Sequence, residues 1–273
     1  MANITCKTIL TKTKLSKAHY VLNPYFGCTH ACVYCYAEWM NHTRLGEKTW
    51  GKFVDVKENA MDLLQKEKHK IKPGQEVFMA SITDVYQPIE KSCQLTRQAL
   101  RILLEQQAAV SILTKSDLVV RDMDILRQMK QVEVGMSINC IDQEIVSVLE
   151  PGTISIQRRI EALKTLKEAN ISTYVMMSPL IPYCSKLEPI FKQITPYVDY
   201  VLGEILNLKV TNMEKWEQAM WKVVGKEKTE KIKYLCGQSS YLYGAKNEFE
   251  RLCEKYHVKN GGFFLHNQKI INK

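Results

Sequence analysis

Asn23-Pro-Tyr-Phe-Gly-Cys-Thr-His-Ala-Cys-Val-Tyr-Cys-Tyr-Ala37 carries Cys28, Cys32 and Cys35 at the spacing C-x3-C-x2-C, with Tyr36 directly after the last. Three thiolates on one short loop can hold three corners of an iron–sulfur cube. A [4Fe–4S] cluster normally takes four cysteines, and no fourth stands at a suitable spacing here. One iron is thereby left open. An open coordination position is where a metal does chemistry, whereas a closed one serves structure or electron carriage.

Blander readings of the same cysteines exist. A lone C-x2-C is shared with zinc ribbons and redox pairs. Tetrahedral zinc would need a fourth ligand, and His30 is near enough in sequence to supply it, although zinc modules usually set their ligands as two separated pairs. A disulfide framework fits poorly, because nine cysteines are an odd number and the N-terminal Met-Ala-Asn-Ile-Thr-Cys is not a secretory signal.

Composition bounds the class. A chain of 273 residues buries a substantial core, in one large domain or one plus a small extension. With 45% hydrophobic and 25% charged residues it matches ordinary soluble enzymes, and no apolar run approaches the ~18 residues of a membrane span. A cytoplasmic location is expected, where reducing conditions suit thiolate ligands. The net charge of +9 is uneven: residues 151–273 hold 19 Lys/Arg against 12 Asp/Glu. A basic half suggests an anionic partner such as nucleic acid. A solvated lysine-rich surface is the alternative, since lysine dominates and arginine is the better phosphate fork.

Residues 1–16 are polar and lysine-rich and read as a peripheral lead-in. His19–Pro24 reads as a short strand delivering the cysteine loop. Afterwards helices and strands alternate. Helices are expected at about 56–70, 91–107, 117–130, 155–169 and 186–197; strands at Val77–Ala80, Ala109–Leu113, Val132–Asn139, Ser172–Met177 and Tyr200–Leu206. Such alternation builds a parallel sheet with right-handed crossovers. A complete eight-unit barrel needs about 250 residues. Six units are spent by residue 206, so the fold class is α/β with a partial barrel. Residues 1–206 form the core with its lead-in, and residues 207–273 form a mostly helical extension closing on a possible strand, Phe263–His266.

The cysteine loop resembles that of the radical S-adenosylmethionine (SAM) superfamily. Further stretches are similar to the spore photoproduct lyase-like branch: Ser81-Ile-Thr-Asp-Val-Tyr-Gln-Pro-Ile-Glu90, Ile112-Leu-Thr-Lys-Ser116, Leu149-Glu-Pro-Gly-Thr153 with Arg159-Ile-Glu-Ala-Leu163, and Met177-Ser-Pro-Leu-Ile-Pro182. The resemblance covers residues 19–206. It implies a (β/α)6 TIM-type core, a [4Fe–4S] cluster on Cys28, Cys32 and Cys35, and SAM chelated through its amino and carboxylate groups. It also implies an external one-electron reductant of the flavodoxin or ferredoxin type. One electron then cleaves SAM to methionine and a 5′-deoxyadenosyl radical, which abstracts hydrogen from substrate.

SAM needs an anchor for its carboxylate and polar partners for its amine and ribose, and loops at strand ends supply candidates. Lys115 and Ser137 are the implied carboxylate partners. Asp84 or Ser81 is placed to receive the amine or a ribose hydroxyl. Arg159 either meets the SAM carboxylate or, like Arg158, pairs with Glu150 or Glu161. The lyase that names the branch uses a cysteine near the end of its second strand as hydrogen donor. Here that neighbourhood reads Met79-Ala-Ser-Ile-Thr-Asp84 and has none, so DNA-lesion repair is not implied. Cys140 and Cys184 are the candidate donors, with small core residues as the plainer reading. Cys184, Cys236 and Cys253 are a minor candidate set for an auxiliary cluster. Two substrate classes remain, nucleic acid and a peptide or small molecule, beside a non-catalytic zinc or iron–sulfur binding module.

Overall fold

Short apolar strands alternate with amphipathic helices through a computed structural model that describes residues 1–15, 18–79 and 81–265. Seven strands run parallel and lie side by side in chain order: β1 (Tyr20–Leu22), β2 (Glu76–Met79), β3 (Ala109–Thr114), β4 (Val132–Ser137), β5 (Ser172–Leu180), β6 (Tyr200–Ile205) and β7 (Lys259–Phe264). Leu10–Lys12 pairs antiparallel on the outer edge of β1. The sheet is open, with Leu10–Lys12 and β7 at its two edges. This is the partial barrel expected. Two strand ends, Ala80 and His266, fall outside the described residues, as does Ser16 of the lead-in.

Burial explains why these segments are strands. Leu22, Val77, Met79, Ile112, Val134, Met136, Val175, Met177 and Val201 are all fully buried, as strands covered on both faces must be. Each such side chain contributes roughly 1.5–3 kcal/mol of burial free energy. Helices cover the sheet with their apolar stripes. Leu95–Glu105 buries Leu95, Ala99, Leu100, Ile102 and Leu103. Ile156–Glu168 begins at Ser155, whose hydroxyl accepts from the Arg158 N–H.

The structure departs from the sequence reading where local chemistry competes. The helix expected from residue 56 starts at Ala60, because Val54–Lys57 is a strand. Buried Val54 and Val56 belong to a second, three-stranded sheet in which Val54–Lys57 lies between Asn3–Ile4 and Tyr25–Gly27. The lead-in is therefore no loose tail. Its Ile9 and Leu10 are buried, and their N–H groups donate to Glu67 at 3.1 and 3.0 Å. The expected helix at 117–130 is a 3-10 stretch, Asp117–Asp122, followed by one α-turn, Met123–Leu126. An unexpected helix, Gln143–Leu149, is capped by Asp142, which accepts from Glu144 and Ile145.

Beyond residue 206 come the helices Met213–Val224, Lys226–Cys236 and Ser239–Lys255, then β7, which is hydrogen-bonded to β6. Trp216 and Met220 of the first of these helices are fully buried against Cys32, Val33 and Tyr34. The C-terminal segment thus closes the core sheet at one edge and walls the cysteine loop.

Candidate active site at the strand ends

The cysteine loop is held between the segment after β2 and the turn at 149–152. Asn23, just past β1, accepts from the N–H groups of Ser81 (3.1 Å) and Ile82 (3.2 Å) and donates to Ser81 Oγ (3.1 Å). Fully buried Gln87 accepts from Thr29 N (3.0 Å) and donates to Gly27 O (3.2 Å) and Thr83 Oγ1 (2.9 Å). On the opposite side Val33 N donates to Leu149 O and Gly152 N to His30 O. That second contact demands glycine, since a Cβ on residue 152 would fall 2.0 Å from the Thr29 carbonyl oxygen.

Cys28 and Cys32 are buried and Cys35 half-buried. Burial pushes the Cys28 thiol up to about 12. It also raises Cys32 and Cys35, against the pull of the Lys115 ammonium. Such thiols are poor free nucleophiles and ordinary ligands, since a coordinating metal ionises them outright. Among the described residues no three His, Cys, Asp or Glu gather around one point as ligands of a single ion would. The cysteines of a cube sit on different irons and stand farther apart. His30, the tempting fourth zinc ligand, is buried with Nδ1 3.3 Å from Asp84 Oδ2.

Asp84 is committed to the scaffold. It accepts from Lys115 N (2.8 Å), Thr114 Oγ1 (2.7 Å) and Tyr86 N (2.9 Å). Burial works against its ionisation, yet His30 and these donors hold its carboxyl down to about 2. Asp84 therefore ties the end of β3 to the cysteine loop through His30. Ser81 is bonded to Asn23, and its carbonyl accepts from the half-exposed Tyr36 hydroxyl.

Lys115 differs from its neighbours. Its ammonium lies 5.9 Å from the centre of the Tyr34 ring and makes no hydrogen bond or ion pair among the described residues. Burial lowers its proton affinity, but Cys32, Glu150 and Asp84 together raise it further, so it stays charged. Ser137, at the end of β4, is buried, and its carbonyl accepts from Arg159 at 2.9 Å.

Arg159 is fully buried and pairs with Glu150 at 2.6 Å, while also donating to Thr153 Oγ1 (2.5 Å) and Ile154 O (3.1 Å). Of the two alternatives for this guanidinium, the structure shows the pairing with Glu150. Burial opposes ionisation of Glu150, but Arg159 and Lys115 hold its carboxyl below the usual range. Glu150 in turn accepts from the Tyr34 hydroxyl, so the turn at 150–153 grips the cysteine loop. Arg158 points elsewhere, to Asp117 at 2.6 Å.

Cys140 and Cys184 are buried, with burial pushing them to about 11 and about 12. Cys184 and Cys236 share one apolar cluster and Cys253 lies in another, so the candidate auxiliary set is not brought together. Residues without a role in the sequence reading also matter here. Asn23 and Gln87 are clamps, and Asn139 donates to Pro179 O (3.0 Å) and Tyr34 Oη (3.4 Å). The quoted motifs contained Asn23 and Gln87, but nothing in a single sequence marks a buried amide as a clamp.

The profile of the Radical SAM superfamily matches residues 22–183. A protein of Methanocaldococcus jannaschii is 41% identical over 212 residues, covering 76% of this chain and 78% of its own. A radical SAM Nα-GlyT isomerase of Pseudomonas phage M6 is 25% identical over 160 residues, 58% of this chain and 32% of its own. Among solved structures, spore photoproduct lyase with bound SAM and dinucleoside spore photoproduct has the same fold. Its TM-score is 0.69 at 16% identity, over 98% of this chain and 82% of that one. Family profile, relatives and architecture agree: the chain belongs to the radical SAM superfamily, whose members imply a [4Fe–4S] cluster and SAM.

Proposed function

We propose that this protein is a SAM-cleaving enzyme in which Cys28, Cys32 and Cys35 hold a [4Fe–4S] cluster. The observation that carries this reading is Lys115, a half-buried cation over the Tyr34 ring of the cysteine loop with no ion partner among the described residues. Such a charge calls for a fixed anion, and the SAM carboxylate meets that need. When bound, cluster and SAM supply a 5′-deoxyadenosyl radical, given one electron from a flavodoxin- or ferredoxin-type donor. The chain's own residues do the placing. Lys115 and the Ser137 hydroxyl bind the carboxylate, and Ser81 offers a hydroxyl to the amine or ribose. Asp84, His30, Glu150 and Arg159 fix the loops that present them. Tyr34, Trp216 and Met220 exclude water around Cys32. Residues 1–206 would carry this chemistry and 207–273 the wall.

Anaerobic incubation with dithionite and SAM, reading 5′-deoxyadenosine, tests the reading. Iron and sulfide near four each with 5′-deoxyadenosine released is the expected result, and one equivalent of zinc would identify a binding module instead. Lys115→Ala should leave the cluster loaded but weaken SAM binding by roughly 2–5 kcal/mol, the cost of losing a buried charge partner. Calorimetry showing unchanged affinity would make Lys115 merely structural.

For the substrate, the helices Met213–Val224 and Lys226–Cys236 favour nucleic acid. Lys222, Lys226, Lys228 and Lys231 carry no ion pair among the described residues. Lys226 lies over Trp221 at 4.9 Å and Lys231 over Tyr183 at 6.0 Å, and Trp221, Tyr183 and Tyr234 are exposed. Lysines interleaved with exposed rings suit phosphates and stacked bases. Oligonucleotide affinity should then fall by roughly 0.7–0.9 log units per phosphate contact for each tenfold rise in salt. Absence of binding at low salt would leave a peptide or small molecule. A lesion-lyase reaction would need a donor thiol other than one at the end of β2, which leaves Cys140 and Cys184.

A further inference from the structure

One exposed ring is held out by its own backbone. β5 ends at Leu180, and the turn that follows leaves the same end of the parallel sheet as the cysteine loop leaves β1. The turn is tightly closed. The Ile181 carbonyl accepts from the N–H groups of Cys184 (3.1 Å) and Ser185 (2.9 Å), and the Ile181 N–H donates to Ser185 Oγ at 2.9 Å. Ile181, Pro182 and Cys184 are buried. Ile181 and Cys184 pack in the apolar cluster that holds Cys32, Val33 and Tyr34. Tyr183, between them, is 43% exposed and takes φ 67°. That left-handed conformation suits glycine, and a residue with a Cβ holds it at a cost to stability. The Tyr183 ring joins none of the apolar clusters, and its hydroxyl makes no hydrogen bond among the described residues. Packing inside the protein therefore does not account for a tyrosine here.

The surrounding charge indicates the kind of partner. Lys231 Nζ lies over the ring, 6.0 Å from its centre. Lys186, three residues beyond Tyr183, is exposed, and neither lysine makes an ion pair among the described residues. Glu188, the next acid in the chain, is paired with Lys255. A cation beside an open aromatic face fits a phosphate and the base it carries. The base has to be unpaired, because in a duplex each π-face is already covered by a neighbouring base, whereas splayed-out bases stack on aromatic side chains.

Building on the nucleic-acid reading above, we propose that Tyr183 is the stacking platform for one unpaired base of a nucleic-acid strand, with Lys186 and Lys231 on the adjoining phosphates. The test titrates full-length wild-type, Tyr183→Gly and Tyr183→Phe protein at low salt with a fluorescent oligothymidine. Removing a base–aromatic stack weakens binding by about fivefold to a hundredfold, and Tyr183→Gly should fall in that range. Its salt slope should stay that of wild type, since no phosphate contact is lost. Its melting midpoint should hold or rise, because glycine adopts the left-handed conformation freely. Tyr183→Asn, which also tolerates that conformation, carries the test if the glycine variant fails to fold. Tyr183→Phe keeps the ring and should bind as wild type does. An oligomer of abasic deoxyribose phosphates has the same charge and no bases, so wild type and Tyr183→Gly should bind it equally. Equal affinity of these two proteins for oligothymidine would overturn the proposal, as would a loss that the Phe variant or the abasic strand shares. Wild-type protein that binds no oligonucleotide at low salt would remove the nucleic-acid reading itself and this proposal with it.

Discussion

Cys32→Ala is expected to abolish cluster loading: after anaerobic reconstitution the variant should lack both the iron and the broad charge-transfer absorption of the wild type. The reason is geometric. Cys32 is the middle thiol of the loop and is buried. A cube held by the two remaining thiolates would have two open irons in place of one. Iron and sulfide assays should read close to zero, and SAM cleavage should vanish with them. The fold should survive, because Ala fills a position whose backbone hydrogen bond, from Cys35 N to the residue 32 carbonyl, needs no sulfur. A Cys32→Ala protein with four irons would show that these cysteines are not the ligands.

The second large effect is on stability. Arg159→Met removes the guanidinium from fully buried Glu150. Breaking a buried pair on one side costs about 3–5 kcal/mol, because the remaining charge is stranded. For a chain of this size each kcal/mol shifts the melting midpoint by roughly 2–4 °C, so a fall on the order of 10 °C is expected in circular dichroism of the apoprotein. The double variant Arg159→Met with Glu150→Leu should recover most of the loss, since neither charge is then left alone. A single variant that melts with the wild type would mean that the pair contributes nothing net. Because Glu150 also receives the Tyr34 hydroxyl, the single variant should further loosen the cysteine loop.

The sequence conveyed the sheet better than the site. Strands such as Ala109–Thr114 and Tyr200–Ile205 announce themselves as short apolar runs between helical patterns, and their order follows from chain order in a parallel sheet. The second sheet stayed hidden because Asn3–Ile4 and Tyr25–Gly27 are too short to show a period, and Val54–Lys57 abuts a helix. In the site, the spacing of Cys28, Cys32 and Cys35 marked the loop, which the superfamily profile spans. The roles of Asp84 and Arg159 were not legible, since a charged side chain that binds a ligand and one that binds its own scaffold have the same sequence signature. What separates them is the partner across space: Lys115 N for Asp84, Glu150 for Arg159.

Trp216 lies roughly 180 residues downstream of Cys35, yet it packs in the cluster that walls the loop. At about 5–20 residues per second of synthesis, the ribosome exposes the three cysteines for roughly ten to thirty-five seconds before that wall exists. The thiols of the loop are therefore at their most vulnerable to oxygen while the polypeptide is still being made.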